Sequence, residues 1–193
     1  MNFKSRKELQ AYFDKFVSEN QSAVVKVCSP SNSSSTDTPV VYMLDMPLYI
    51  IFENGKALVI EYYNVCNIYV EYRELTDSEK EELSKIYNND FFNVVYDIYD
   101  YNTTRISKRI TLNMEYDVIE KVDVCYFEGD YDKWENGVIV TKEGTEENFG
   151  EIILRLKNGK TIHILAQPAD SDGYFDVWAS TDYENIKVFN IEE

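Results

Sequence analysis

Residues 50–60 read IIFENGKALVI, and residues 152–164 read IILRLKNGKTIHI. Each is a pair of β-rich runs around Asn-Gly-Lys, at Asn54-Gly55 and again at Asn158-Gly159. Asn and Gly tolerate the positive φ values of a tight type I′ turn, so each stretch predicts an antiparallel hairpin of that type. The neighbours of the two stretches also correspond. Val-Lys-Val-Cys (25–28) precedes the first, and Val-Asp-Val-Cys (122–125) precedes the second. NIYVEYREL (67–75) follows the first and GYFDVWAS (173–180) follows the second, both with period-two alternation. The same order in both halves predicts a β-unit used twice, over about 23–75 and about 118–180, within a single compact domain covering residues 1–193. So long an interval is not that of a solenoid repeat.

Two helices fit around these units. Ser5 and Glu8 form an S-x-x-E capping pattern, and Leu9, Tyr12, Phe13, Phe16 and Val17 recur at helical spacing, which predicts an amphipathic helix over 6–19. Thr76 and Glu79 repeat the capping pattern and open a second helix over 77–88, with Leu83 and Ile86 inward. The second helix and the strands at 91–101 and 105–113 join the units through residues 76–113, and NIKVFNI (185–191) supplies a last strand. The Ser-rich stretch SPSNSSSTDTP (29–39) has too little apolar surface to bury and reads as a mobile loop. Asn-Gly turns and alternation favour antiparallel pairing, and there is no regular βαβ order. The fold class expected is therefore α+β, mainly antiparallel sheet in two related units with two helices packed against them.

The bulk numbers suit one compact fold. At 193 residues, folding removes roughly 70% of the unfolded chain's surface from water, enough for stability without a disulfide or metal. Three widely spaced cysteines (Cys28, Cys66, Cys125) form no disulfide scaffold, so they read as free thiols in a reducing compartment, which predicts a cytoplasmic protein. The N-terminal residues lack the apolar run of a signal peptide, and no stretch of eighteen apolar residues predicts a membrane span.

Motifs of catalysis do not emerge. The single histidine, His163, alternates with Ile162 and Ile164 on a strand, with no nucleophile signature in the sequence. It reads as a solvent-facing or hydrogen-bonded strand residue. No phosphate-binding glycine loop and no Cys/His spacing for zinc occurs, so no enzyme activity and no cofactor are expected. Two acidic stretches contain alternating oxygen ligands in the manner of a calcium loop. EGDYDKWENG (128–137) lacks the sixth-position Gly; DSDGYFD (170–176) has Thr181 where the bidentate Glu belongs, which leaves Asp170, Asp172 and Asp176 as the candidate metal ligands.

Charge is what distinguishes the chain. It has 35 acidic residues against 19 basic ones, a net charge of −16. Such a field repels phosphate backbones, so nucleic acid is excluded as a partner, and it steers a basic protein toward the surface. Acids interleave with aromatics over 126–135, where Tyr126, Phe127, Tyr131 and Trp134 stand among Glu128, Asp130, Asp132 and Glu135. Rings as anchors and acids as steering groups suit docking of a basic protein. In charge, size and lack of motifs the chain resembles the small acidic immunity or inhibitor proteins with which bacteria neutralise basic nuclease toxins. The resemblance carries no residue roles; it implies a non-enzymatic protein that masks a basic partner. The alternative reading is an accessory domain with a small-ligand or metal pocket between the two β-units. Either a monomer or a homodimer paired through edge strands is compatible with the sequence.

Overall fold

A computed structural model describes residues 1–35, 41–45, 47–64, 67–85, 90, 92–99, 106–126, 130–143, 149–166, 174–179 and 187–190. The strands are β1 (Asn2–Phe3), β2 (Val24–Cys28), β3 (Ser31–Ser35), β4 (Val41–Asp45), β5 (Leu48–Phe52), β6 (Lys56–Asn64), β7 (Asn67–Glu74), β8 (Asn93–Tyr99) and β9 (Ile106–Asn113). They continue with β10 (Ile119–Tyr126), β11 (Asp130–Glu135), β12 (Val138–Glu143), β13 (Phe149–Leu156), β14 (Thr161–Ala166), β15 (Tyr174–Ala179) and β16 (Lys187–Asn190). Helix α1 spans Arg6–Glu19 and α2 spans Asp77–Lys85. The fold is thus α+β and mainly antiparallel.

The two units share one strand order. The first sheet runs β1-β7-β6-β5-β2 and the second β10-β13-β14-β15-β4-β3, so β2, β5, β6, β7 correspond to β10, β13, β14, β15. Register follows the same plan. Leu48↔Ile60, Ile50↔Leu58 and Ile51↔Ala57 on β5 and β6 match Ile152↔Ile164, Leu154↔Ile162 and Arg155↔Thr161 on β13 and β14. A register shift follows Val24 in β2 and Ile119 in β10. Because the shift falls at the same place in both strands, Lys26-Val27-Cys28 stays aligned with Lys121-Val122-Asp123. The counterpart of Cys28 is therefore Asp123, not Cys125; the two Val-x-Val-Cys sequences are offset from the pairing frame by two residues. The units meet at equivalent positions, Ala23 bridging Val118. Around that bridge, Glu53 N–H donates to the Ala23 carbonyl at 3.0 Å, and Lys157 N–H donates to the Val118 carbonyl at 2.9 Å.

The Asn-Gly turns are hairpins of a different type from the one expected. Positive φ occurs at Gly55 (79°) and Gly159 (84°), but neither Asn54 nor Asn158 adopts it. Each loop has three residues, closed by Gly55 N–H to the Phe52 carbonyl and Gly159 N–H to the Leu156 carbonyl, both at 2.9 Å. The asparagines work through their side chains: Asn54 Oδ1 accepts from Lys56 N–H, and Asn158 Oδ1 from Lys160 N–H, both at 3.1 Å.

One apolar core serves both units. Leu9, Phe13 and Phe16 of α1 pack with Leu48, Ile50, Phe52, Leu58 and Ile60 of the first sheet and Val122, Leu154, Ile162 and Ile164 of the second. Helix α1 also covers the edge of β10. The Gln10 amide accepts from Val124 N–H at 2.9 Å and donates to the Val122 carbonyl at 2.7 Å, and Arg6 Nε donates to the Val124 carbonyl at 2.7 Å. This side-chain pairing occupies backbone groups that an open edge would offer to another strand. Helix α2 closes the outer face of the first sheet, where Leu83 packs with Cys28, Tyr49, Ala57, Val59 and Leu75. Its expected last turn, residues 86–88, lies outside the described residues.

The Ser-rich stretch departs from expectation. Ser31–Ser35 is a strand, paired from Ser31↔Asp45 to Ser35↔Val41, rather than a loop. An edge strand is held by backbone hydrogen bonds and can do without apolar side chains, so composition did not reveal it. Residues 36–39 of that stretch lie outside the described residues.

Candidate functional site

Between its first and second strands each unit carries an inserted hairpin, β3–β4 in the first and β11–β12 in the second. β4 pairs with β15 through Tyr174↔Asp45 to Val177↔Tyr42, so the first insertion extends the second sheet. The second insertion forms a separate two-stranded sheet and pairs with no other strand among the described residues. Its register runs from Asp130↔Glu143 to Glu135↔Val138, around Asn136-Gly137. Here φ is positive at both turn residues, 53° and 79°, which is the combination a two-residue type I′ turn needs. The acidic connection expected at 128–137 is therefore largely a hairpin: the Asn-Gly turn organises alternating residues into paired strands.

This arm holds five of the eight residues expected to meet a partner: Asp130, Tyr131, Asp132, Trp134 and Glu135. Asp130 is exposed and Glu135 half-buried. Tyr126 ends β10, where its backbone pairs with Phe149. Phe127 and Glu128 lie outside the described residues. Sequence reasoning missed the residues beyond the turn. Val138 and Ile139 are 61% and 52% exposed, the most exposed large apolar residues of the described chain after Met1. The signal for them was present as Asn-Gly followed by an apolar run.

Of the candidate metal ligands, Asp170 and Asp172 lie outside the described residues. Asp176 lies within β15, its backbone paired with Leu165 on one side and Met43 on the other. Among the described residues no group of three or more His, Cys, Asp or Glu side chains could hold a metal ion.

The outer face of the second sheet carries a charged ladder where the first sheet is apolar. Asp123 Oδ2 accepts from Arg155 Nε and its Oδ1 meets Lys121 Nζ, both at 2.6 Å. Burial pushes the Asp123 carboxyl up, but the hydrogen bonds from Lys121 and Arg155 outweigh it and hold the group below its ordinary range. Next to this pair, His163 Nδ1 lies 2.7 Å from Glu151 Oε1 and its Nε2 2.9 Å from Thr161 Oγ1. His163 is thus a hydrogen-bonded strand histidine, fixed from both ring nitrogens. Cys125 joins the face, its thiol pushed up by partial burial and by the Glu151 and Asp123 carboxylates. A raised thiol is a poor nucleophile.

No helix among the described residues is long and apolar enough to cross a membrane. No protein family, curated protein or solved structure matches this chain.

Proposed function

We propose that the protein is a non-enzymatic binding protein that masks a basic protein partner, with the β11–β12 arm as its docking element. The observation that carries this reading is the arm's pairing. The corresponding hairpin in the other unit is consumed by a sheet edge, whereas β11–β12 leaves both of its edges without a strand partner among the described residues. Val138 and Ile139 at its tip offer apolar anchors, and Asp130 stands opposite Glu143 at its base. Two carboxylates facing each other across a ladder repel, and a cation from a partner would relieve that repulsion. The net charge of −16 supplies long-range steering toward a basic surface. Such a role is that of an immunity or inhibitor protein. The free thiols Cys28 and Cys125 suit a reducing compartment, and we assign the protein to the cytoplasm.

The reading is tested by capturing a partner from host extract and measuring its affinity across salt. The partner should be basic, dissociate as salt rises, and be lost with the Val138→Asp, Ile139→Asp double variant. Both positions are exposed, so the double variant should keep its fold, each change costing stability less than about 0.5 kcal/mol. Affinity indifferent to salt, or binding that survives the double variant, would sink the proposal.

A further inference from the structure

The β11–β12 arm has two unlike faces. Successive positions of a strand alternate between faces, so the pairing from Asp130↔Glu143 to Glu135↔Val138 sorts the arm completely. One face takes Asp130, Asp132 and Trp134 from β11 with Ile139, Thr141 and Glu143 from β12. The other takes Tyr131, Lys133 and Glu135 with Val138, Val140 and Lys142. The first set has three acids and no base, the second two lysines and one acid, so the charge of the arm is concentrated on one side. The two apolar residues at the tip are also divided: Ile139 belongs to the acidic face and Val138 to the opposite one.

Exposure separates the faces as well. On the acidic face Asp130, Ile139, Thr141 and Glu143 are all exposed. On the other, Glu135 and Val140 are half-buried, and Val138, beside the turn, is exposed. The acidic face is thus the more open to a partner. Asp130 and Glu143 stand directly opposite each other, at positions whose Cβ atoms in such a ladder lie about 5 Å apart. One planar guanidinium presents donors in a fixed fork and can serve both carboxylates, which the point charge of an ammonium does less well. Along β11 the acids at 130 and 132 are two residues apart, roughly 6.6 Å, which is the repeat along one face of an extended chain.

We propose that the basic partner docks on this face alone, through arginines at alternate positions of an extended segment. One guanidinium sits between Asp130 and Glu143, and an apolar side chain of the partner packs on Ile139. The face with Lys133 and Lys142 stays outside the contact. This inference rests on the arm being the docking element and goes beyond it by fixing the face and the cation.

Two hexapeptides, alternating arginine or lysine with threonine, test it as matched probes titrated onto the full chain, with affinity and methyl NMR shifts as readouts. The arginine peptide should bind several-fold tighter than the lysine peptide, and should shift the Ile139 methyl resonances more than those of Val138 and Val140. Asp130→Asn with Glu143→Gln should weaken it about tenfold. Glu53→Gln with Glu120→Gln removes the same charge from exposed positions off the arm and should weaken it only a few-fold. Since Asp130 and Glu143 repel each other in the free arm, their double variant should melt no lower than the parent chain. No binding, equal affinity for the two peptides, or equal losses from the two double variants would overturn the proposal. Shifts centred on Val138 and Val140 would overturn the choice of face and leave the arm as the docking element. Shifts confined to residues off the arm would overturn the docking reading together with this one.

Discussion

The two β-units use one strand order for opposite ends. In the first, the outer face presents Tyr49, Ala57 and Val59, and α2 closes over it. In the second, the corresponding positions are Ile153, Thr161 and His163, and Arg155 stands where the first unit has Ile51. The inserted hairpins diverge in the same sense, one paired into a sheet and the other standing as a separate ribbon. The unit's inward positions are constrained by the common core, while its outward positions and its insertion are free to differ. Function is therefore best sought where the copies differ.

The largest effect tests the part they share. Phe52 and Leu156 end equivalent strands, and both are essentially unexposed in the common core. Phe52→Ala should cost about 4 kcal/mol and Leu156→Ala about 3 kcal/mol, each measured by urea denaturation. Because one cluster contains both residues, each variant should unfold in one transition that moves tryptophan fluorescence and far-UV circular dichroism together. Two separated transitions, with only one displaced by each substitution, would show that the units have independent cores.

A smaller effect separates the outer faces. In the first unit Glu79 receives both guanidinium nitrogens of Arg73, at 2.7 and 2.8 Å, the Tyr49 hydroxyl at 3.1 Å, and Thr76 N–H at 2.7 Å. Hydrogen bonds from Arg73, outweighing desolvation, lower its carboxyl from 4.5 to about 2. The ion pair joins strand β7 to the cap of α2 and so holds the helix over the apolar face. Glu79→Gln should cost about 2 kcal/mol at neutral pH. In the second unit Asp123 meets Arg155 and Lys121, whose side chains are 42% and 63% exposed, and Asp123→Asn should cost only about 0.5 kcal/mol. The pH dependence carries the same contrast. A carboxyl lowered on folding stabilises the protein above its unfolded value, and that stability is lost as pH falls through the folded one. For Glu79 the loss runs from 4.5 down to about 2, so Glu79→Gln should flatten the acid limb of a stability–pH curve in that window. An acid limb that changes more with Asp123→Asn would reverse the assignment of which face is the anchored one.

How far the sequence reveals this contrast depends on whether a feature is local. Both helices were legible because capping and period are local: Glu79 N–H donates to Thr76 Oγ1 at 3.2 Å and the Glu79 carboxylate accepts from Thr76 N–H at 2.7 Å, as the S/T-x-x-E pattern implies. The hairpins were legible too, but not the turn type, since the Asn side chains take a hydrogen bond that a reading of φ preference alone overlooks. The Val-x-Val-Cys likeness pairs Cys28 with Cys125, but register against β5 and β13 pairs it with Asp123, and register is set by the partner strand and leaves no composition signal. Ser31–Ser35 stayed hidden for the same reason. The arm was half legible. Its acids and aromatics were singled out, yet Asn136-Gly137 between alternating runs was passed over in favour of a loop, and with it the apolar tip at Val138 and Ile139.

The smallest expected difference is between the repeated turns, which should remain equivalent in energy while their surroundings differ. Gly55 and Gly159 both hold positive φ, and a Cβ added at either would meet nothing within 4 Å. An alanine there is thus opposed by backbone conformation alone, a cost of about 1 kcal/mol, and Gly55→Ala and Gly159→Ala should lower stability equally. Any excess must come from what the turn holds in place. Asn54 Nδ2 donates to the Tyr72 hydroxyl at 2.7 Å, whereas Asn158 Nδ2 donates to the Glu115 carbonyl at 2.8 Å. Tyr72 also packs edge-to-face on Phe16 and Phe52, so if the first turn shifts on substitution, the disturbance reaches that aromatic cluster. A cost at Gly55 well above that at Gly159 in urea denaturation would show that the first turn also braces the aromatic cluster and that the second is a turn only.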